Sequence, residues 1–419
     1  MKMLLNLFHP GKVFKPAREV LFYLAVMLCF SLAAGCIGAA MSNYLADVVG
    51  LDERQRGVLE FFRETPGLLL VLILALLARR SEWWILRFGF VAAMAGMAGL
   101  FFAKPEMAVV TAFIMVWSLG EHLLMPVRSS ITMHLAKPGQ EGGALGVVGG
   151  LGSLGAVMGA LAVIGVFKCV EKPSGFYAVF AIVFTLLLVG IGFSSRVRDG
   201  GGHVKRPRLL YHRKYNKFYI LEIFYGARKQ VFITFAPYML IRLYGMGVEK
   251  LALLVLICAA TNIVCAPLAG WIVDRLGYRT VMIWDTVILA FVCLLYGFAF
   301  HLFSFEVAFW VVCVNYVLDQ IITNASSALN VYVRGISGSR EELTATLSTG
   351  ISVNHLISIL MALGGGWVAV NSGAWFTDSG DKTEVLGIGY GVLFSISATM
   401  AVCSTLFTLT LPKPVKKPA

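Results

Sequence analysis

The stretch GWIVDRLGYR, residues 270–279, lies between two long apolar runs and decides the fold of this 419-residue chain. It brings Gly270, Asp274, Arg275, Gly277 and Arg279 into one short connection. Glycine permits a close backbone approach and a positive φ, and an acid at a helix start can cap that helix. Arginine can pair with the acid or with helix-end carbonyls. The stretch therefore predicts a tight, charged turn between two apolar helices.

The composition around this turn excludes a water-soluble protein. Hydrophobic residues make up 58% of the chain and charged residues only 14%, whereas soluble proteins carry about 25% charged residues. The formal charge of +12 does not indicate nucleic-acid binding, because most basic residues lie in short connections between apolar runs. The eight cysteines show no CxxC pairing, and no P-loop or HExxH motif occurs, so we expect no metal, no cofactor and no enzyme.

Twelve apolar runs are each long enough to cross a membrane as an α-helix, which takes about 20 residues. They do not alternate polar and apolar residues as the strands of a membrane barrel do. The predicted spans are residues 19–47, 57–78, 83–102, 106–134, 142–167, 174–194, 216–242, 249–271, 278–300, 306–333, 342–370 and 386–411. The predicted fold class is therefore an all-α, polytopic membrane protein with twelve transmembrane helices.

The distribution of basic residues predicts the orientation and the division of the chain. Most Lys and Arg residues fall on the side of the two termini, which places both termini in the cytoplasm. The longest polar segment, 195–215, is a basic linker between an N-terminal six-helix bundle (1–194) and a C-terminal six-helix bundle (216–419). Six spans return the chain to its starting side, so any repeat that relates the two bundles must be parallel rather than inverted.

The pattern GxxxDRxGxR at Gly270–Arg279 resembles the loop signature of the major facilitator superfamily. In that family the loop joins the second and third helices and often recurs between the eighth and ninth, where it falls here. The resemblance covers the whole chain and implies the major facilitator fold. It also implies that the loop acts as a gating latch and that spans one, four, seven and ten line a central cavity. The matching first-half loop, Ala75–Glu82, lacks the glycines and the aspartate, which leaves open whether it is also a latch.

Charged side chains within the predicted spans are the candidate functional residues. A charge at a helix centre costs about 2.5–3.5 kcal/mol on insertion scales, so it rarely persists without a role. Span ten carries Asn315, Asp319, Thr323, Ser326 and Asn330 at spacings of 4, 4, 3 and 4, which is one helical stripe. The predicted substrate-binding residues are Arg128, Arg228, Lys229, Asn315, Thr323 and Asn324, and the predicted proton-coupling residues are Glu121, His122, Glu222 and Asp319.

Structural alternatives remain open for each group of charges. Glu121 and Arg128 are seven residues apart on one face and could neutralise each other. Arg228 and Lys229 could pair with acids of neighbouring helices, and the stripe of span ten could join helices by hydrogen bonds. Glu60, Arg63 and Glu64 form a ridge in the outer half of span two. Its functional roles would be an outer gate or a coupling carboxylate, and the structural alternative is a self-paired ridge beneath the outer interface.

The fifth span contains regularly spaced glycines. Gly149, Gly152, Gly155 and Gly159 recur at a spacing that predicts close helix packing.

The charged residues within the predicted spans are not balanced. Six deep acids outnumber four deep bases, so some carboxylates have no basic partner and can carry protons.

We therefore expect a proton-coupled secondary transporter that moves a small anionic or zwitterionic solute by alternating access. Drug or lipophile efflux by proton antiport is the alternative, followed by a non-transporting sensor or a membrane-embedded enzyme. The expected setting is a bacterial inner membrane, with the chain a monomer in the lipid bilayer and without nucleic acid.

Overall fold

The computed structural model describes residues 10–16, 18–77, 79–197 and 211–412. In these ranges the chain is helical and forms no strand beyond a single antiparallel bridge between Phe14 and Ala136. An α-helix satisfies its own backbone N–H and C=O groups, which a segment surrounded by lipid requires.

The principal helices follow the predicted spans closely. They are α1 Arg18–Asn43, α2 Glu53–Leu68, α3 Leu70–Leu76, α4 Glu82–Phe102, α5 Met107–Leu135, α6 Glu141–Cys169, α7 Ser174–Ser194, α8 Asn216–Arg242, α9 Val248–Leu276, α10 Tyr278–Leu302, α11 Phe305–Ile322, α12 Ser327–Ile336, α13 Arg340–Asn371 and α14 Lys382–Thr408. A π-helical turn, Tyr44–Val48, extends α1.

Within the described ranges, 10 helical segments are long and apolar enough to cross a membrane. The other two predicted spans also form helices but differ in character. Span 57–78 is divided into α2 and α3, and α8 carries Glu222, Arg228 and Lys229, which lower its mean hydropathy. That these two also cross the membrane stays a prediction.

The described residues group into two compact units. Unit 1 contains those of Met1–Val49, Leu72–Arg206 and Val248–Ile263. Unit 2 contains those of Gly50–Val71, Pro207–Gly247 and Val264–Ala419. The predicted domain boundaries at 194 and 216 stay a prediction.

In unit 1, α1 and α6 approach closely at glycines. A Cβ on Gly155 would lie 2.3 Å from the Cβ of Ser31, and one on Gly159 would lie 2.5 Å from the backbone nitrogen of Cys36. By contrast, a Cβ on Gly149 or Gly152 would meet no atom within 4 Å. The predicted glycine packing is therefore present at the second half of the run and absent from the first half.

In unit 2, α2 packs on α13 through two further glycines. A Cβ on Gly57 would lie 2.2 Å from the carbonyl oxygen of Ala362, and one on Gly366 would lie 2.5 Å from that of Glu53. The hydroxyl of Tyr390 on α14 donates to the Glu53 carboxylate at 3.1 Å. These contacts hold the charged face of α2 inside unit 2.

The stretch at 270–279 forms the turn between α9 and α10. Gly277 has a φ of +80° and separates α9, which ends at Leu276, from α10, which begins at Tyr278. A positive φ is strained for a residue with a side chain, so the prediction of a glycine-dependent turn is confirmed here. Arg279 donates to the carbonyl of Leu409 at 2.5 Å, as expected for an arginine near a helix end.

Two details of the predicted turn are wrong. Asp274 lies in the last turn of α9 and does not cap the next helix, whose N-cap is Gly277. Gly270 makes no close backbone approach, because a Cβ there would meet no atom within 4 Å. Arg275 stacks over the ring of Trp271, with 4.7 Å from its guanidinium carbon to the ring centroid.

The described end of the linker is attached to the start of α13. Lys214 pairs with Glu342 at 2.5 Å, and the backbone N–H of Gly338 donates to the same carboxylate at 2.8 Å. The hydrogen bond from Lys214, with that of Gly338, lowers the pKa of Glu342 to about 2. The carboxylate therefore stays ionised and this attachment keeps its charge at neutral pH.

The glycine contact between α2 and α13 can be tested with two nearby substitutions. Gly366→Ala should lower the free energy of unfolding by about 1–3 kcal/mol, because its methyl group would overlap the backbone of α2. Gly364→Ala is the matched control, since its Cβ would meet no atom within 4 Å; it should be neutral or raise stability by up to about 1 kcal/mol. Thermal or denaturant unfolding of the purified protein measures both. Equal effects of the two changes would contradict the proposed contact.

Candidate functional site

A cavity of about 280 Å³ lies within unit 1. Its walls come from α1, α5, α6 and the first part of α9, and they include Glu121 and Arg128 of α5. Seven residues are close to two helical turns, so both side chains lie on one face of α5, as predicted. The remaining wall residues are Phe30, Ser31, Ala34, Gly35, Gly38, Leu124, Met125, Gly152, Ala156 and Val255.

Arg128 brings an accessible positive charge to this cavity. Its guanidinium forms no ion pair with any residue in the described part of the chain, Glu121 included. Its backbone carbonyl is engaged instead and accepts hydrogen bonds from Tyr23 at 2.8 Å and from Thr132 at 2.6 Å. The arrangement disfavours the alternative in which Glu121 and Arg128 merely neutralise each other.

His122 does not line this cavity, although it follows Glu121 in the chain. It is buried, and its Nδ1 lies 3.0 Å from the hydroxyl of Ser118 and 2.8 Å from the carbonyl oxygen of the same residue. Adjacent helical residues point about 100° apart, which separates the two side chains. Its proton-coupling role stays a prediction.

A buried charge cluster within unit 2 is centred on Arg228 of α8. The guanidinium donates to both carboxylate oxygens of Asp285, at 2.9 and 3.1 Å. It also donates to Asp319 at 3.2 Å and to the hydroxyl of Thr323 at 3.3 Å. The structure therefore favours the alternative in which Arg228 pairs with acids of neighbouring helices.

Two carboxylates share this one guanidinium, so the ionised cluster carries an excess negative charge that a single proton would neutralise. Asp285 received no role from the sequence, because it is a lone acid in α10 with no stripe of polar residues around it. Its place in the cluster follows only from the packing of α8 on α10.

Lys229 belongs to a separate polar chain within unit 2. Its ammonium donates to the side-chain oxygen of Asn354 at 3.3 Å, and the amide nitrogen of Asn354 donates to Glu222 at 3.1 Å. Asn354 of α13 thus connects two oppositely charged residues of α8. Asn354 lies in the predicted span 342–370, but no sequence pattern places it between these two residues.

The predicted polar stripe of span ten holds in part. Asn315 and Asp319 are buried in α11, and Thr323 contacts Arg228. A 3₁₀ turn, Thr323–Ser326, then interrupts the helix, and Asn330 beyond it is exposed. Because a 3₁₀ helix has about 3.0 residues per turn, it rotates the following residues away from the α-helical stripe.

Asn324 lies inside this 3₁₀ turn. Its amide nitrogen donates to the carbonyls of Gln320 and Ile321, at 3.3 and 3.0 Å. Asn315 likewise donates to its own helix, at the carbonyl of Val311. The predicted substrate contacts of both asparagines stay predictions.

The ridge on α2 is an ion-pair network. Arg63 pairs with Glu60 and with Glu64, each at 2.5 Å, and Arg56 also pairs with Glu60. His355 of α13 lies 2.7 Å from Glu64, and Gln230 of α8 donates to Glu60 at 3.3 Å. The ridge is therefore self-paired and has further partners on two other helices, while its role as a gate stays a prediction.

Two further buried charges at the start of α2 were not included in the sequence-based count. Arg56 and Glu53 are buried, with 5% and 2% of their surface exposed. Both lie before residue 57, where the predicted span begins, and so neither entered the prediction. They add one acid and one base, so the excess of acids over bases is unchanged.

The 10 long apolar helical segments among the described residues indicate an integral, multi-pass membrane protein. The family model of the Major Facilitator Superfamily matches residues 23–333. The chain belongs to this superfamily, as the loop signature indicated. No curated protein matched the sequence.

Several solved transporters share the fold at low sequence identity. A D-xylose-proton symporter is 14% identical with a TM-score of 0.73, over 94% of this chain and 96% of the other. A bacterial homologue of the human lysosomal transporter Spinster, in an inward-facing and occupied conformation, is 16% identical with a TM-score of 0.71, over 94% and 97%. The nucleoside transporter NupG is 13% identical with a TM-score of 0.70, over 94% and 98%.

Arg228 and Arg128 should respond differently to loss of charge. Arg228→Met should lower the free energy of unfolding by about 3–5 kcal/mol, because it leaves two buried carboxylates without their base. Arg128→Met should change it by no more than about 0.5 kcal/mol, since no ion pair among the described residues is lost. Denaturant unfolding in one detergent compares them. A larger loss at Arg128 would contradict the assigned contacts.

Proposed function

We propose that the protein is a secondary active transporter, not an enzyme, that moves a small anionic or zwitterionic solute by alternating access and couples this movement to protons. The membership of the superfamily supports the transport class. The solute class and the coupling are argued below from the two charge groups.

The observation that carries the proposal is the accessible guanidinium of Arg128 in the cavity of unit 1. Arg63 and Arg228 are held by carboxylates, whereas Arg128 forms no ion pair among the described residues. A guanidinium presents several donors in one plane and suits a carboxylate or phosphate. We therefore assign Arg128 to the anionic group of the solute.

Glu121 lies in the same cavity and supplies a negative charge. A solute that carries both an anionic and a cationic group would be complementary to the two residues. Efflux of lipophilic compounds is less well supported, because an apolar solute would desolvate the Arg128 guanidinium without supplying a partner for its charge.

The proposed coupling site is the cluster of Arg228, Asp285 and Asp319. Asp319 is 3% exposed, so a negative charge there depends on the neighbouring guanidinium. Uptake of a proton by one carboxylate would leave one acid for one base. Such a change alters the contacts between α8, α10 and α11, which is the physical requirement for coupling.

The remaining assignments belong to this proposal. Glu222 and His122 are further candidates for proton coupling, and the ridge of Glu60, Arg63 and Glu64 is a candidate outer gate. Lys229, Asn315, Thr323 and Asn324 are retained as candidate solute contacts. The turn at Gly270–Arg279 is the candidate inner latch, in a monomer of the inner membrane with cytoplasmic termini.

Removal of the Arg128 guanidinium should weaken the binding of an acidic solute. Arg128→Ala should weaken binding by about 10- to 100-fold, the effect of losing hydrogen bonds to a charged group. Arg128→Lys should weaken it less, because the charge remains while the planar fork is lost. Thermal stabilisation by a panel of metabolites, followed by counterflow in proteoliposomes, measures both. Unchanged stabilisation by the best solute in Arg128→Ala would refute the assignment.

Neutralisation of Asp319 should leave solute exchange intact and reduce proton-driven transport. In Asp319→Asn proteoliposomes, solute counterflow should persist, while accumulation driven by an imposed pH gradient should fall by about tenfold or more. Asp378→Asn, on an exposed loop residue, is the control and should behave as the wild type. Wild-type transport that ignores the pH gradient would exclude proton coupling.

A further inference from the structure

Two glycines line the charged cavity of unit 1 without serving helix packing. Gly38 lies on α1 and Gly152 on α6, and a Cβ on either would meet no atom within 4 Å. In an α-helix, glycine without a packing reason is unfavourable relative to alanine. Their position in the cavity wall therefore calls for a reason other than stability.

Neighbouring glycines on the same two helices do serve packing. A Cβ on Gly35 would lie 2.5 Å from the carbonyl oxygen of Gly155, and a Cβ on Gly155 would lie 2.3 Å from Ser31. Each cavity glycine is three residues from one of these contacts along its own helix. The seam between α1 and α6 is thus closed at Gly35 and Gly155 and open at Gly38 and Gly152.

Gly38 and Gly152 lie in a cavity wall that has both charged and apolar side chains. Arg128 and Glu121 contribute opposite charges to the cavity, while Phe30, Leu124 and Met125 contribute apolar surface. A solute held by its charged groups would place its uncharged part against the apolar walls and the bare glycine backbones. Any side chain at either glycine would occupy that volume.

We infer that Gly38 and Gly152 set the upper size limit of the transported solute, which is a small zwitterion with a compact apolar body. The inference rests on the proposed function, since it assigns the size and shape of the solute that Arg128 binds. The wild-type cavity accepts the body because both Cβ atoms are absent. One added methyl group on each helix excludes the larger members of a series with the same charged groups.

The experiment uses the α-amino acids alanine, valine, leucine and phenylalanine, which share their charges and differ in side-chain size. Binding is measured by thermal shift and confirmed by counterflow, for the wild type and for the double variant Gly38→Ala with Gly152→Ala. The control is Gly149→Ala, because Gly149 is also open but does not line the cavity. Arg128→Ala is measured alongside.

The double variant should fold as the wild type does and melt at the same or a higher temperature. Its affinity for leucine or phenylalanine should fall by about tenfold or more, and its affinity for alanine by less than about twofold, as expected for a pocket that discriminates by size. The control should match the wild type for all four probes.

Three results would overturn the inference. They are an equal loss for every probe, no loss for any probe, and failure of the double variant to fold. A wild type that binds none of the series would exclude the assigned solute class. If Arg128→Ala weakens binding but the double glycine variant does not, the inference fails and the proposed function stands. If Arg128→Ala leaves binding unchanged, the proposed function itself fails.

Discussion

The structure depends on one constraint, which is that a charge removed from water must be compensated by a nearby partner. Unit 2 satisfies it with dense networks: Arg228 is held by Asp285 and Asp319, and Arg63 is held by Glu60 and Glu64. Such pairs add little net stability, because desolvation offsets much of their attraction. They matter because the loss of either partner leaves the other charge buried without compensation, which lowers the free energy of unfolding.

Arg128 is informative because it differs from this pattern. It is partly accessible in a cavity and forms no ion pair among the described residues, so a solute can supply the missing partner. This contrast assigns a different role to the charges of each unit. A charge that awaits a ligand lies in unit 1, and a set of charges already balanced against one another lies in unit 2, where a proton can change the balance.

The sequence predicted what depends on regular helical spacing. The spacing of seven positions from Glu121 to Arg128 placed both side chains on one helix face, which lines the cavity, and Gly277 was expected to take a positive φ. Predictions failed where the helix is not regular or where its boundary was uncertain. The 3₁₀ turn moved Asn330 out of the stripe, and Arg56 was missed because its helix starts earlier than the apolar run.

Helical spacing could not predict contacts between helices that are distant in the sequence. Asp285 and Asn354 carried no pattern that linked them to Arg228 or Lys229, and only the packing of α10 and α13 on α8 brings them there. The same holds for the α2 ridge. Its pairing within the helix followed from i, i+3 and i, i+4 spacing, whereas its contact with His355 did not.

The bridge at Asn354 has a consequence for how charge states are communicated. Its oxygen accepts from Lys229 while its nitrogen donates to Glu222, so the two charges together fix which way the amide faces. A protonated Glu222 would keep an acceptor oxygen for the amide but would add an O–H donor, which competes with Lys229 for the oxygen of Asn354. The ionisation state of Glu222 can thus affect the hydrogen bond of Lys229 through the neutral side chain of Asn354, without any charge moving between them.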